Sequence, residues 1–143
     1  LSLYDTDFAG EGLEHLASIE ALDLSSTNIT DSSMSPLANH PRLWHLLLNN
    51  TELTDACVGT LSSIPNLEIL ALGSTQVTGR GLGQFARCKS LKVLWLQYTP
   101  LTEESIQELS HLTQLRELYL GSDRLTEAQV AELRQALPEC DIN

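Results

Sequence analysis

A chain of 143 residues is long enough for one domain with a real core, and at 42% hydrophobic but only 5% aromatic that core must be filled by leucine. A formal net charge of −11 argues against a nucleic-acid partner, which needs clustered Lys and Arg; here the nearest thing to a patch is Arg80, Arg87 and Lys89. No run approaches ~20 apolar residues, so no membrane span is expected.

The chain opens on LSLYDTDFAG, which has neither a charged nor an apolar leader region. A first unit starts in mid-frame at Leu1-Ser2-Leu3, with Thr6, Phe8, Leu13 and Leu16 in register. From Ile19 the frame LxxLxLxxTx(I/V/L)Txxx(apolar)xx(apolar) runs complete, and it restarts at Leu43, Leu67, Leu91 and Leu115, each 24 residues from the last. In each LxL the side-chain period of two puts both leucines on one face and the residue between them on the other. The threonines after the strands, Thr27, Thr51, Thr75 and Thr99, are expected to hydrogen-bond neighbouring backbone; Asp123 breaks that series. A second set, Thr30, Thr54, Thr78, Thr102 and Thr126, suits helix N-caps. Asp31, Asp55, Glu103, Glu104 and Glu127 then fall in the first turn, where the helix dipole favours negative charge.

Apolar residues follow at three-residue spacing: Met34 and Leu37, Val58 and Leu61, Leu82 and Phe85, Ile106 and Leu109, Val130 and Leu133. They predict the inward stripe of a short helix, ended in two units by Pro41 and Pro65. The last helix stops at Pro138, and Cys140 and Ile142 look like the stub of one more strand.

This frame resembles the leucine-rich repeat family along essentially the whole chain. Its TDxxL fragments and the stretch GRGLGQFARC are most similar to bacterial and F-box-associated repeats, which often carry asparagine or cysteine where this chain has threonine. The resemblance implies an α/β fold, a curved solenoid of about six repeats with a parallel sheet on the concave side and short helices on the convex side. On this basis residues 1–143 are one repeat domain, expected to be the C-terminal part of a longer chain.

The outward columns of the sheet carry the functional signal. Near the N-terminus they are small and polar, but Leu47, Ile69, Val93, Trp95 and Tyr119 line up as a contiguous apolar patch. Ala71, Gly73 and Gly121 are expected to leave shallow space beside the tryptophan, and Asn49, Gln97, Tyr98 and Arg116 to rim it. An apolar patch with a polar rim, rich in Trp, Tyr and Arg, is how protein-binding surfaces are built. The competing explanation is that aromatic and β-branched residues simply favour strands. Trp44, at the start of its strand, is expected to pack on the loop rim.

Chemistry for catalysis is not visible. GRGLG, Gly79 to Gly83, lacks the last glycine of GxGxxG and the GK[ST] of a phosphate loop. His15, His40, His45 and His111 are dispersed, with His40 standing in for an apolar residue at a helix end. Cys57, Cys88 and Cys140 are odd in number and far apart, which favours a reduced, cytoplasmic setting. The expectation is therefore a non-catalytic module that binds a protein or peptide, with no cofactor, metal, nucleic acid or membrane. The alternatives are a scaffold or spacer within a longer array, self-associating through the N-terminal edge, and the recognition arm of a multidomain enzyme. F-box relatives fill the last role in ubiquitin ligases, but no F-box is present in these residues.

Overall fold

The computed structural model describes residues 1–121 and 125–143; Asp123, the break in the threonine series, lies outside them. The predicted strands form one parallel sheet in sequence order: β1 (Ala21–Asp23), β2 (His45–Leu47), β3 (Ile69–Ala71), β4 (Val93–Trp95), β5 (Glu117–Tyr119) and β6 (Asp141–Ile142). Ser2 adds a single bridge beside Asp23. Neighbouring strands pair without slippage: Leu46 sits opposite Leu22 and Leu70, and Leu94 opposite Leu70 and Leu118. The 24-residue period fixes this register, because a slip of one would turn every leucine of a strand to the outside.

Both leucine columns of the LxL motif are buried from Leu22 and Leu24 through to Leu118 and Leu120, and the inward residues of the convex segments close over them. Those segments are shorter and tighter than an α-helix in the early repeats. Residues Asp31–Leu37 and Leu82–Arg87 are 3₁₀ helices, and Asp55–Cys57 is a 3₁₀ turn leading into α1 (Val58–Leu61). Among the described residues only α2 (Glu104–Ser110) and α3 (Glu127–Ala136) have more than one α-turn.

The threonine that follows each strand closes its own turn. Thr27, Thr51, Thr75 and Thr99 each donate to the carbonyl three residues back, at 2.6–2.7 Å. The expected link to neighbouring backbone is thus made within the repeat. The second threonine caps in three units. Thr30 and Thr126 sit in reciprocal capping boxes with Ser33 and Gln129, and the Thr54 hydroxyl accepts from Ala56 N–H at 3.2 Å.

The acidic residues that follow do more than meet a helix dipole. Asp31 accepts from the backbone N–H and hydroxyl of Thr54, at 2.9 and 2.7 Å. Asp55 repeats this one unit on, accepting from Thr78 N–H at 2.9 Å, its hydroxyl at 2.5 Å and Gly79 N–H at 3.2 Å. Each carboxylate thereby ties its repeat to the next. The series stops at Gly79, where the Thr102 N–H turns to the carbonyl of Thr78 at 3.1 Å.

His40 is buried at 4% exposure and joins two repeats. Its Nδ1 accepts from Leu43 N–H at 3.1 Å, which leaves the proton on Nε2 to donate to the carbonyl of Leu16 at 2.9 Å. In later repeats the same backbone N–H uses a carbonyl instead: Leu91 N–H donates to Cys88 and Leu115 N–H to Leu112, each at 3.0 Å. His40→Ala is therefore expected to destabilise the protein by about 2–4 kcal/mol, since it opens a cavity and takes the imidazole acceptor from Leu43 N–H, while the Leu16 carbonyl keeps Ile19 N–H at 2.9 Å. His40→Leu, which matches Leu112, should lose less because it fills the cavity that alanine leaves. Urea unfolding of both variants tests this, and a His40→Leu chain as stable as the native one would refute the bridging role.

Candidate functional site

Strands β2 to β5 carry the outward column Leu47, Ala71, Trp95, Tyr119 and, two residues earlier, His45, Ile69, Val93, Glu117. Leu47, Ile69, Val93, Trp95 and Tyr119 are all half-buried and lie side by side as the pairing requires. The opening leucines of this region, Leu94 and Leu96, are fully buried, so Trp95 between them faces out. Its ring meets Tyr119 edge to face, with centroids 5.7 Å apart and planes at 84°. The indole Nε1–H is shielded from solvent and has no acceptor among the described residues.

The space expected beside the tryptophan is closed. Ala71 is fully buried between Leu47 and Trp95. A Cβ on Gly73 would lie 2.9 Å from Asn49 Oδ1 and 3.2 Å from the Gln97 carbonyl, and one on Gly121 would lie 2.8 Å from Tyr98 N. These glycines admit the neighbouring repeat rather than a ligand. Asn49 is likewise committed, its Oδ1 accepting from Gly73 N–H at 2.8 Å.

Gln97 is half-buried just beyond β4. Arg116 is exposed ahead of β5, where its guanidinium lies 3.6 Å from the Glu139 carboxylate. Trp44 leans on His45, with ring centroids 5.2 Å apart. Tyr98 is the outlier. Asp5, Ser26, Asn50, Ser74 and Tyr98 all adopt positive φ at the same turn after the strand, between 54° and 60°. Short polar side chains tolerate that left-handed conformation; a tyrosine does not do so readily. Yet Tyr98 is 77% exposed and gains no burial in exchange.

Two models of the family described as leucine rich repeat match the chain, over residues 15–38 and 65–125. Together with six parallel strands at 24-residue spacing, these decide the matter. The chain is a leucine-rich repeat protein. Solved structures agree on the fold. An internalin, InlF, from Listeria monocytogenes superposes with a TM-score of 0.73 at 24% identity over 91% of this chain. A second Listeria monocytogenes internalin, InlC2, gives 0.62 at 21% over 99%, and the Drosophila melanogaster SNF/U2A′ complex gives 0.68 at 21% over 94%. This chain spans 36% of the InlF structure, 68% of InlC2 and 79% of the chain matched in the SNF/U2A′ complex. No curated protein sequence matches it.

Elsewhere in this leucine-rich repeat protein, many polar side chains are engaged in structure. A hollow of about 530 Å³ on the flank is lined by Asp55, Thr78, Arg80, Thr102, Glu104 and Glu108. Its carboxylates are already used, Asp55 as described, Glu104 by the Thr102 hydroxyl at 3.0 Å and Glu108 by Gly83 N–H at 2.9 Å. Burial, with Asp31 and Asp55 adding, pushes the Cys57 thiol up to about 12, and burial with Asp141 and Glu117 pushes Cys140 up to about 11. Cys88 is also raised, chiefly by burial. Thiols held this far towards the neutral form are poor nucleophiles. Among the described residues no helix is long and apolar enough to cross a membrane.

Beside the patch stand Glu117, which the repeat frame places in an outward column but to which the sequence gives no role, and Asp141, which the sequence does not single out. Tyr119 donates its phenol proton to Glu117 Oε2 at 2.7 Å, and Glu117 in turn faces Asp141 on β6. The hydrogen bond to Glu117 raises the Tyr119 pKa, with desolvation, the Glu117 charge and the Asp141 charge adding to it. Their sequence signal was the column itself, since Glu117 and Asp141 continue the series of Ile69 and Val93.

Proposed function

We propose that this protein is a non-catalytic interaction module that binds a protein or peptide on its concave face, with Leu47, Ile69, Val93, Trp95 and Tyr119 as the contact patch and Gln97, Tyr98 and Arg116 around it. The observation that carries this is Tyr98. Four other repeats place Asp, Ser or Asn in the left-handed turn, and this one places a bulky aromatic that stays in solvent. Backbone strain kept without compensating packing marks positions retained for something other than stability. Trp95, three residues earlier, adds a shielded N–H without an acceptor among the described residues, a second cost in the same repeat. Aromatic side chains on an outward face are also the residues that dominate protein interfaces. The SNF/U2A′ complex shows the same fold within a protein assembly, and three free cysteines fit a reducing, cytoplasmic setting.

Tyr98→Asn tests the proposal by separating stability from binding. Relief of the left-handed strain should raise the unfolding free energy by about 1 kcal/mol. Capture of a partner from the source cell's lysate should fall at the same time. A Tyr98→Asn protein that is less stable than the native one, or that captures the same partner undiminished, would count against this face as the contact surface.

A further inference from the structure

The outward columns of the sheet carry charge of one sign. Asp23 stands at the N-terminal side of the apolar patch and Glu117 and Asp141 at the C-terminal side, while none of the described residues in these columns is Lys or Arg. Glu117 and Asp141 lie directly opposite each other on β5 and β6. Like charges in that position oppose sheet pairing. Neither takes part in an ion pair among the described residues; the nearby Arg116 is turned to Glu139. One oxygen of Glu117 receives the Tyr119 phenol, which anchors the carboxylate at the rim of the Trp95–Tyr119 pair.

We propose that the partner segment seated on this face carries a basic side chain, Arg or Lys, that lies against the Trp95–Tyr119 rings with its cation between Glu117 and Asp141. This rests on the concave-face reading above and adds the chemistry of its occupant. The physical case has three parts. Aromatic faces attract a cation, and more strongly for Arg, whose planar head also stacks. Glu117 and Asp141, paired opposite each other on adjacent strands, can both accept charge-assisted hydrogen bonds from it. A cation between them also offsets the unfavourable placement of like charges across a strand pair. The net charge of −11 steers such a segment in from a distance and makes its arrival salt-dependent.

The test uses an immobilised positional-scanning library of nine-residue peptides with the native chain, the Trp95→Ala chain and a Glu117→Gln, Asp141→Asn chain. Gln at 117 still accepts the Tyr119 hydroxyl, so the double variant should fold with a Tm equal to or above the native value. The expected result is enrichment of Arg or Lys at one peptide position. The best peptide should lose affinity about ten-fold or more in the Glu117→Gln, Asp141→Asn chain, and also when its basic residue becomes norleucine. Peptides that bind, are lost with Trp95→Ala, and show no basic preference would overturn this proposal and leave the concave-face reading standing. Binding that survives Trp95→Ala, or no peptide binding at all, would overturn it together with the assignment of this patch.

Discussion

Leu94→Ala is expected to destabilise the protein by about 3–5 kcal/mol, while Trp95→Ala, at the next residue, should cost only about 1–2 kcal/mol. Leu94 is fully buried and stands in register between Leu70 and Leu118, themselves fully buried. A cavity there has little freedom to collapse, because backbone hydrogen bonds of 2.8 Å from Leu72 to Trp95 and from Leu96 to Tyr119 hold the flanking repeats at fixed spacing. Trp95→Ala loses an edge-to-face contact and uncovers Ala71, but it also deletes an indole N–H that has no acceptor among the described residues. The larger side chain should therefore be the cheaper one to truncate. Urea unfolding with a common m-value checks the ranking, and a Trp95→Ala loss exceeding that of Leu94→Ala would mean the two faces of β4 are assigned the wrong way round.

That ranking was available from the sequence, and the reason is periodicity. Strands alternate with period two and the repeats recur every 24 residues, so the burial of Leu22 through Leu118 and the neighbours of Trp95 follow from counting. Helix type was not fixed in the same way. Pairs such as Met34 and Leu37 or Leu82 and Phe85 are three apart, a spacing that a 3₁₀ turn satisfies as well as an α-turn; the structure uses 3₁₀ for both. Space was also hidden. A glycine in an outward column suggests room, but at Gly73 and Gly121 the atoms that fill it are Asn49 Oδ1 and main-chain atoms of Gln97 and Tyr98. How close a neighbouring repeat approaches is set by its path, which no single residue type announces. The strain at Tyr98 was hidden for the same reason, since a left-handed turn after the strand becomes evident only when Asp5, Ser26, Asn50 and Ser74 share it. The frame places Glu117 in an outward column without showing what it does there, and Asp141 was lost among 19 acidic residues that solvation and capping explain well enough as a group.

Gly79→Asp is expected to destabilise the protein by about 2–5 kcal/mol, although the repeat pattern recommends it. Asp31 and Asp55 occupy this column in the two preceding repeats, and each staples its repeat to the next by accepting from a threonine N–H and hydroxyl. Extending the column to 79 would, on pattern alone, supply Thr102 with the same partner. The geometry forbids it twice. Gly79 has φ of +98°, where an L side chain is strained, and its Cβ would fall 2.2 Å from the Cβ of Ser105. Ser105 cannot easily withdraw, being 1% exposed with its hydroxyl bound to the Thr102 carbonyl at 2.6 Å. The gain on offer is also small, because Thr102 N–H is already satisfied by the Thr78 carbonyl and its hydroxyl by Glu104. Adding Ser105→Gly should recover part of the loss by removing the clash, leaving the backbone strain in place. Thermal or urea unfolding of the single and double variants decides the point: a Gly79→Asp chain more stable than the native one would show that the α2 repeat accepts the aspartate after all, and that the glycine here is a lapse in the pattern rather than a requirement of close approach.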